Sequence, residues 1–322
     1  MRRAMLVMLC CLWSASLARA AETYYVDNNA TRCAGCNDSN SCAQAQALRA
    51  GFDTLNQCIT CQSAAGTDRC EMRGGTYAGY NSNTNPIPPG TSWANANTIA
   101  RYQNEVPVLT GVCGGTGAGT IMNIPNAVDA YIIFDGLTVD ASFCHYALSM
   151  GSSGAHHLRF QNMDLHSARG IDTDGDGVYT GGSVVDGGQP GVSNAIEFLN
   201  SKIHGSQHAY GMYLRGSDFL VEGNEIYDNA GYAIAVFNTG GGPARATIRG
   251  NRLYNNGFGR SQPTITLGSG ADHLAYNNLV YDNYGGLNTF NGCVDCKWYN
   301  NTLFNNGTGF TWSTGTKTGT II

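Results

Sequence analysis

The stretch VEGNEIYDNAGYAIAVFN, Val221 to Asn238, contains a phrase that returns three times further along the chain. IRGNRLYNN begins at Ile248, AYNNLVYDN at Ala275 and WYNNTLFNN at Trp298. A motif that recurs at a nearly constant interval is typical of a repeat fold, in which each repeat packs against its neighbours. Either the Asn and Gly residues of this phrase build the fold, or they carry chemistry.

Pairs of apolar residues five positions apart mark the repeats, and the first members of successive pairs lie 26, 38, 23, 27, 27 and 23 residues apart. Gly or Asn doublets within the pairs supply the positive φ that tight corners require. A third apolar column follows each pair. The pairs are Phe134/Val139, Phe160/Leu165, Phe198/Ile203, Val221/Ile226, Ile248/Leu253, Ala275/Val280 and Trp298/Leu303, and the third column is Leu148, Ile171, Met212, Ile234, Ile265, Leu287 and Phe310.

Each repeat is too short for two packed helices, and no helical periodicity runs long enough to indicate them. The pattern instead predicts a short strand, a tight corner, a second short strand and a looser loop. Coils of this kind stack strand upon strand at about 4.8 Å and form a parallel β-solenoid. The apolar columns then make the core, and corner Asn side chains bond to the coils above and below.

Several motifs resemble the secreted right-handed parallel β-helix proteins of the pectate-lyase-like superfold, and the resemblance covers nearly all of the chain. It implies an all-β chain with a right-handed parallel β-helix. It does not specify an activity, because this fold hosts lyases, hydrolases, epimerases and non-catalytic surface proteins. The motifs are the GN-x-IY-x-N phrases, TYYVDNNA (Thr23 to Ala30), FDTLNQC (Phe52 to Cys58), RGGTYAG (Arg73 to Gly79) and GTSWANANTIARY (Gly90 to Tyr102).

Residues 1–20 predict a secretory signal peptide, because Arg2 and Arg3 precede an apolar run that ends in Ala18-Arg19-Ala20. No other segment is apolar enough to span a bilayer. Without residues 1–20 the chain has 15 basic and 23 acidic side chains, a net charge of −8. Nucleic-acid binding needs clustered Lys and Arg, so this charge argues against it. We expect an exported monomer, secreted or held in the periplasm or at the cell surface.

Ten cysteines remain after residue 20, and six of them fall between Cys33 and Cys70. An even number in an exported chain favours disulfides. Zinc is the alternative, because Cys33-x2-Cys36 and Cys58-x2-Cys61 have ligand spacing. We interpret Cys293-x2-Cys296 as a local clip across a turn. We expect a Cys-rich segment with the first coils at 21–125 and the β-helix at 126–322. The chain stops as another coil begins, so we expect the sequence to be truncated.

The 38-residue step contains an insertion, GIDTDGDGVYTGG, from Gly170 to Gly182. Its Asp172, Asp174 and Asp176 alternate in a D-x-D-x-D-G pattern that suits a hard cation with oxygen ligands, calcium first. The twelfth position of an EF-hand loop would be Ser183 rather than Glu, which excludes that motif. The other interpretation is a solvated acidic turn.

The residue after each second-strand core position forms a column that should point away from the core. Its aromatic members form either a platform for sugar rings or a stack that stabilises a corner, and the second interpretation is favoured. The column is Asp140, His166, His204, Tyr227, Tyr254, Tyr281 and Phe304.

The coils beside the insertion carry the densest set of charged residues. Asp172 and Tyr213 each follow a third-column residue, which places them on one face. Eliminative cleavage of a uronic-acid polysaccharide needs a base for the proton α to the carboxylate, an acid for the leaving oxygen and a cation. His208 as base, Tyr213 as acid, and Arg169 or Arg215 with calcium form a consistent set. The alternative is that these side chains are solvated surface residues without a catalytic role.

The sequence therefore predicts an exported β-helix protein that processes or binds a polysaccharide. The favoured activity is β-elimination on an acidic glycan. A glycoside hydrolase is less favoured, because the Gly-His-Gly and Arg-Ile-Lys motifs of β-helical polygalacturonases do not occur here. The competing hypothesis is a non-catalytic adhesive β-helix at the cell surface that binds glycans. Convergence of the charged residues in one place would favour an enzyme, and scatter along the helix would favour display.

Overall fold

Nearly all of the regular structure in the computed structural model is β-strand. The structure describes residues 20–64, 66–114, 117–125, 130–151, 154–172, 179–188, 193–237, 242–312 and 319–321. Within these ranges there are two short helices, Cys42–Ala45 and Leu55–Ile59, both in the Cys-rich segment. Ser41 and Thr54 cap them by accepting a backbone N–H of the first turn.

The described strands form three parallel sheets, named here A, B and C, of 11, 9 and 9 strands. From Arg69 onward the chain visits A, B and C in turn, so that each circuit is one coil of a right-handed parallel β-helix. Sheet A contains Thr23–Val26, Arg69–Met72, Asn97–Arg101, Ile132–Asp135, His156–Gln161, Asn194–Leu199, Leu220–Glu222, Thr247–Arg249, Leu274–Tyr276, Cys296–Tyr299 and Gly319–Ile321. Sheet B contains Gly75–Ala78, Pro107–Thr110, Thr138–Asp140, Asp164–His166, Lys202–His204, Glu225–Tyr227, Arg252–Tyr254, Leu279–Tyr281 and Thr302–Phe304. Sheet C contains Tyr80–Asn81, Thr120–Asn123, Tyr146–Ser149, Val185–Gly187, Met212–Leu214, Ile234–Val236, Pro263–Ala271, Gly285–Val294 and Phe310–Trp312.

The strand register confirms the two paired columns. Residues of the first column align along sheet A and those of the second along sheet B. On sheet A, Phe134, Phe160 and Phe198 stack at 5.1 Å between ring centroids and are fully buried. Stacking of identical side chains at the coil spacing gives the core its continuity.

The third column lies in sheet C, but its predicted member Ile171 is wrong. Val185 occupies that position, aligned with Leu148 on one side and Met212 on the other. Ile171 and Thr180 instead exchange two backbone hydrogen bonds, of 2.8 and 2.9 Å, which close the base of the insertion. The chain therefore leaves the coil at Ile171 and returns beyond Thr180. Asp172 does not lie beside Tyr213, and the residue that does is Asp186.

Positive φ at the corner between sheets A and B confirms the role predicted for the Gly and Asn doublets. Gly223 has φ of 69°, and Asn277 and Asn300 adopt the same left-handed conformation at 56° and 52°. Gly and Asn tolerate this conformation better than other residues do. The next residue then turns inward, and Asn224 and Asn278 are buried there.

The corner asparagines form two hydrogen-bonded ladders, as the sequence predicts. The backbone N–H of Asn224 donates to Oδ1 of Asn251 at 2.9 Å, and that of Asn251 donates to Oδ1 of Asn278 at 3.1 Å. Each amide Nδ2 donates back to a carbonyl of the preceding coil, as from Asn251 to Val221 at 2.9 Å. The ladders are Asn224, Asn251, Asn278 and Asn301 after sheet A, and Asn229, Asn256, Asn283 and Asn306 after sheet B.

All ten cysteines after residue 20 form disulfides, which confirms that interpretation and leaves no thiolate for zinc at Cys33, Cys36, Cys58 or Cys61. The Cys293–Cys296 clip is confirmed as well. The strand Thr23–Val26 pairs with Arg69–Met72, so the Cys-rich segment shares sheet A with the later coils. The disulfides are Cys33–Cys36, Cys42–Cys61, Cys58–Cys70, Cys113–Cys144 and Cys293–Cys296.

Residues 1–19 of the predicted signal peptide lie outside the described residues. Among the described residues, no helix is both long and apolar enough to cross a membrane. The five disulfides agree with an oxidising compartment outside the cytosol, because such bonds form and persist there.

Candidate functional site

The structure contains the predicted aromatic column on the outer face of sheet B, and its rings stack on one another. Neighbouring centroids lie 4.5–5.3 Å apart with planes within 20° from His166 through His204, Tyr227, Tyr254 and Tyr281 to Phe304. Neighbouring rings therefore cover both faces of His204, Tyr227, Tyr254 and Tyr281, and the edges of these rings meet solvent. A sugar platform needs exposed faces, so the stabilising interpretation of this column is the better one.

A second group of side chains lies on the outer face of sheet C, where the register places Asp186 beside Tyr213. Nη2 of Arg215 lies 2.6 Å from Oδ1 of Asp186, and the guanidinium carbon lies 5.3 Å from the centroid of the Tyr213 ring. Oγ of Ser149, in the preceding coil, lies 3.4 Å from Oδ2 of Asp186. The sequence analysis named Tyr213 and Arg215, and the structure brings these two together.

Asp186 was missed by sequence reasoning, because its column was assigned to the insertion. Its side chain is 11% exposed, against 22% for Arg215. Burial raises the pKa of Asp186, while the Arg215 guanidinium acts in the opposite direction. A buried carboxylate beside a guanidinium holds that cation in a fixed position. Asp186 therefore orients Arg215 at the surface of sheet C.

Two tyrosines flank this ion pair and keep their protons at neutral pH. Burial raises the pKa of Tyr146 to about 12, with the Asp186 charge adding to the effect. Burial also raises the pKa of Tyr213, and the Arg215 charge only partly offsets it. Both hydroxyl groups are thus proton donors.

His145, which precedes Tyr146, is a further residue that sequence reasoning missed. Burial lowers the pKa of His145, so its imidazole is neutral and able to accept a proton at pH 7. Its ring centroid lies 3.9 Å from that of Tyr146. Gly181, with φ of 66°, leaves room for the ring, since a Cβ there would lie 2.9 Å from Nε2 of His145. The adjacent Gly181-Gly182 doublet was the available signal that a side chain packs against this corner.

Arg169 lies at the corner between sheets B and C, in the coil after His145. Its guanidinium carbon is 4.2 Å from the Tyr179 ring centroid and 5.7 Å from that of Phe143. Its backbone N–H donates to the carbonyl of Cys144, which joins the two coils. Arg169 forms no salt bridge with any carboxylate that the structure describes. Its charge is therefore available to an anionic ligand.

His208 lies at the same corner, one coil beyond Arg169, and is half-buried. Its backbone carbonyl accepts a hydrogen bond from Nη1 of Arg260 at 2.9 Å. Among the described residues no hydrogen bond or ring contact joins the His208 side chain to Tyr213 or Arg215. The structure thus places His208 near the predicted set without bringing it into contact.

Of the three predicted calcium ligands, the structure describes only Asp172, which is buried at the base of the insertion. Asp174 and Asp176 lie outside the described residues. One imidazole nitrogen of His273 and the sulfurs of Cys293 and Cys296 lie within 4.8 Å of one another. Those two sulfurs form a disulfide and offer no thiolate to a metal. His273 has a structural role instead, since its Nδ1 accepts the Ala246 N–H at 3.2 Å.

Comparison with known proteins agrees with the fold. A family model described as "Right handed beta helix region" matches residues 190–322. The pectate lyase Pel9A aligns with a TM-score of 0.56 and 13% identity over 93% of this chain and 80% of its own. XylC, solved in complex with xylose, aligns with a TM-score of 0.50 and 10% identity over 88% of this chain and 69% of its own. No curated protein matches the chain in sequence. At these identities the likeness concerns the fold alone.

Proposed function

We propose that this protein processes an acidic polysaccharide by β-elimination on the outer face of sheet C and the adjoining corner. The observation that carries the proposal is convergence. His145, Tyr146, Arg169, Tyr213 and Arg215 come from three successive coils, on sheet C and at its corner with sheet B: His145 contacts Tyr146, Arg215 contacts Tyr213, the charges of Asp186 and Arg215 act on Tyr146, and the Arg169 backbone bonds to Cys144 beside His145. A protein that only displays a surface has no need to gather a base, two acids and two cations in one place. That a pectate lyase shares the fold supports the proposal.

The charge or protonation state of each side chain determines its proposed role in the reaction. Arg169, which lacks a described carboxylate partner, binds the uronate carboxylate and stabilises the charge that develops as the α proton leaves. Neutral His145 takes that proton, a C=C bond forms between the α and β carbons, and the bond to the glycosidic oxygen breaks. Tyr213 or Tyr146 protonates the leaving oxygen. Asp186 holds Arg215 and is a positioning residue.

The pKa directions predict the pH dependence of this reaction. His145 must be unprotonated, and burial places its pKa below the ordinary 6.5. Activity therefore falls only as the pH drops below that value. The acids must be protonated, and the raised pKa of Tyr146, about 12, keeps its proton on up to strongly alkaline pH. We expect kcat/KM to stay level between about pH 7 and pH 9 and to decline on the acid side.

The test is to incubate the mature protein with a panel of uronic-acid polysaccharides and to follow the ultraviolet absorbance of the unsaturated product. His145→Gln should lower kcat about 100-fold or more, the usual loss for a general base. His208→Gln is the matched control at the same corner and should stay within a few-fold of the unchanged protein. A large loss of kcat in His208→Gln with little loss in His145→Gln would instead assign the general base to His208. Binding of a glycan without any shorter or unsaturated product would instead support the non-catalytic hypothesis.

We also propose that the Asp172–Asp176 segment binds calcium, as its alternating carboxylates suit an oxygen-ligated cation. Bound calcium would supply positive charge to the uronate carboxylate in addition to that of Arg169. Calcium binding by the Asp174→Asn/Asp176→Asn variant, measured by calorimetry, should fall at least tenfold relative to the unchanged protein. Equal binding by both proteins would show that the segment is a solvated acidic turn.

A further inference from the structure

A groove opens at the corner between sheets B and C, two to four coils beyond Tyr213. Its volume is about 730 Å³, and its lining includes Phe258, Tyr284, Asn255, Asp282 and Asn305. The coil spacing of about 4.8 Å places it roughly 10–19 Å from Tyr213 along the helix axis. It lies outside the group of residues assigned to the chemistry.

The two aromatic side chains of the groove are exposed and do not belong to the ring stack on sheet B. Phe258 is 58% exposed and Tyr284 is 42% exposed. Their rings meet edge to face, with centroids 6.2 Å apart, so neither covers the face of the other. Gly257, with φ of 86°, lets the chain pass close by, since a Cβ there would lie 3.2 Å from Cβ of Tyr284. Exposed ring faces beside polar groups suit the apolar faces of sugar rings.

The polar side of the groove offers hydrogen-bond acceptors and no cation. Asn255, Asp282 and Asn305 have positive φ of 55°, 54° and 51°, and their side chains line the groove. The Asn255 amide donates to Asp228, and the Asn305 amide donates to Asp282, each in the preceding coil. Each amide engages one of its two N–H bonds in this way, and the groove also offers the amide oxygens and the Asp282 carboxylate as acceptors. No Lys, Arg or His is among the described residues that line the groove. Such a surface accepts hydroxyl donors and repels a carboxylate.

A row of tyrosines extends from the proposed reaction centre into the next coil, in the direction of the groove. The Tyr210 ring lies 5.5 Å from that of Tyr213 and 5.0 Å from that of Tyr232, one coil further on. Gly231 belongs to the same surface, since a Cβ there would lie 2.5 Å from Oε1 of Gln262 and 2.8 Å from Cδ1 of Tyr210. This row runs along the helix axis toward the coil that carries Phe258.

We propose that the Phe258–Tyr284 groove is a distal subsite for an uncharged sugar unit of the same glycan, which makes the substrate a heteropolysaccharide of uronic-acid and neutral sugars. The substrate class rests on the proposed function, but the binding of a neutral sugar at the groove does not. The cationic end of the surface around Arg169 takes the uronate, and the acceptor-rich end takes the neutral unit. One chain lying along the helix axis spans both.

The first test is affinity electrophoresis of the full chain in gels that contain a neutral galactan or polygalacturonate. Phe258→Ala and Tyr284→Ala should each weaken galactan binding roughly fivefold to tenfold, the usual range for one aromatic contact. Binding to polygalacturonate should change less than twofold. Tyr299→Ala, which removes a ring stacked on Tyr276 of sheet A, is the matched control and should leave both unchanged. Unchanged melting temperatures will show that the two variants remain folded.

The subsite proposal would be overturned if the unchanged protein did not bind galactan. It would also be overturned if Tyr284→Ala lost binding to galactan and to polygalacturonate equally. A second measurement separates it from the proposed function. On a mixed polymer, Tyr284→Ala should raise KM with little change in kcat, whereas His145→Gln should lower kcat and leave galactan binding intact. If no polymer is cleaved but galactan binding still depends on Tyr284, the subsite stands and the elimination proposal fails.

Discussion

At the scale of single residues, burial sets the acid and base properties that the site relies on. His145 and Tyr146 are adjacent in sequence and shift in opposite directions, since burial lowers the pKa of the histidine and raises that of the tyrosine. Both shifts favour the neutral form, as expected where water is excluded. A neutral base and a protonated acid thus coexist at pH 7, with burial as the main cause of both shifts.

His273 shows the same effect where it bears on stability. Burial lowers the pKa of His273 to about 4, against an ordinary value of 6.5. The unfolded chain therefore takes up a proton before the folded one does, and stability is lost as the pH falls from about 6.5 to about 4. The loss is about 3 kcal/mol. We expect the melting temperature to fall over this range, and His273→Asn, which retains an acceptor for the Ala246 N–H, to show a smaller fall. An equal fall in both proteins would assign the acid sensitivity to other groups.

At the scale of elements, the corners determine how strands become coils. A left-handed residue followed by an inward asparagine turns the chain and satisfies buried backbone groups at the same time. Buried polar groups are costly unless they are hydrogen-bonded, so the ladders allow the corners to be buried. The stacked rings on sheet B cover the outer face of the strand that follows each corner.

Asn251→Ala is the direct test of a ladder. It removes the acceptor of the Asn224 N–H and the donor to the Val221 carbonyl, and it leaves both groups buried. We expect a loss of about 3 kcal/mol in the free energy of unfolding, measured by urea denaturation. Asn56→Ala, at an exposed position in the helix Leu55–Ile59, is the control and should change stability by less than about 0.5 kcal/mol. Similar losses in both variants would show that the ladder contributes little.

At the scale of the whole molecule, disulfides supplement a core that each coil shares only with its neighbours. Cys113–Cys144 spans 31 residues and joins successive coils, whereas Cys293–Cys296 spans 3 residues across the turn from sheet C to sheet A. Loop entropy in the unfolded chain predicts about 3.5 kcal/mol for the first and about 2 kcal/mol for the second. Alanine pairs at each disulfide, compared by denaturant midpoint, should follow that order. The opposite order would mean that native contacts, rather than chain entropy, determine the effect.

The sequence by itself determined the fold. Repeated apolar pairs, corner doublets and an outward aromatic column all depend on spacings within one coil, where a residue's direction follows from its neighbours in the chain. It also placed Tyr213 and Arg215, since these lie on a strand with a regular repeat.

Only the tertiary structure decided which residues surround them. Asp186 reaches Arg215 because the insertion closes between Ile171 and Thr180, a pairing that no local pattern signals. His145 belongs to the proposed site because Gly181, in the next coil, leaves room for its imidazole ring. Neighbours in adjacent coils are 23 to 38 residues apart in the chain, and each insertion shifts the register between them. Backbone hydrogen bonds between strands restore that register, and they exist only in the folded protein.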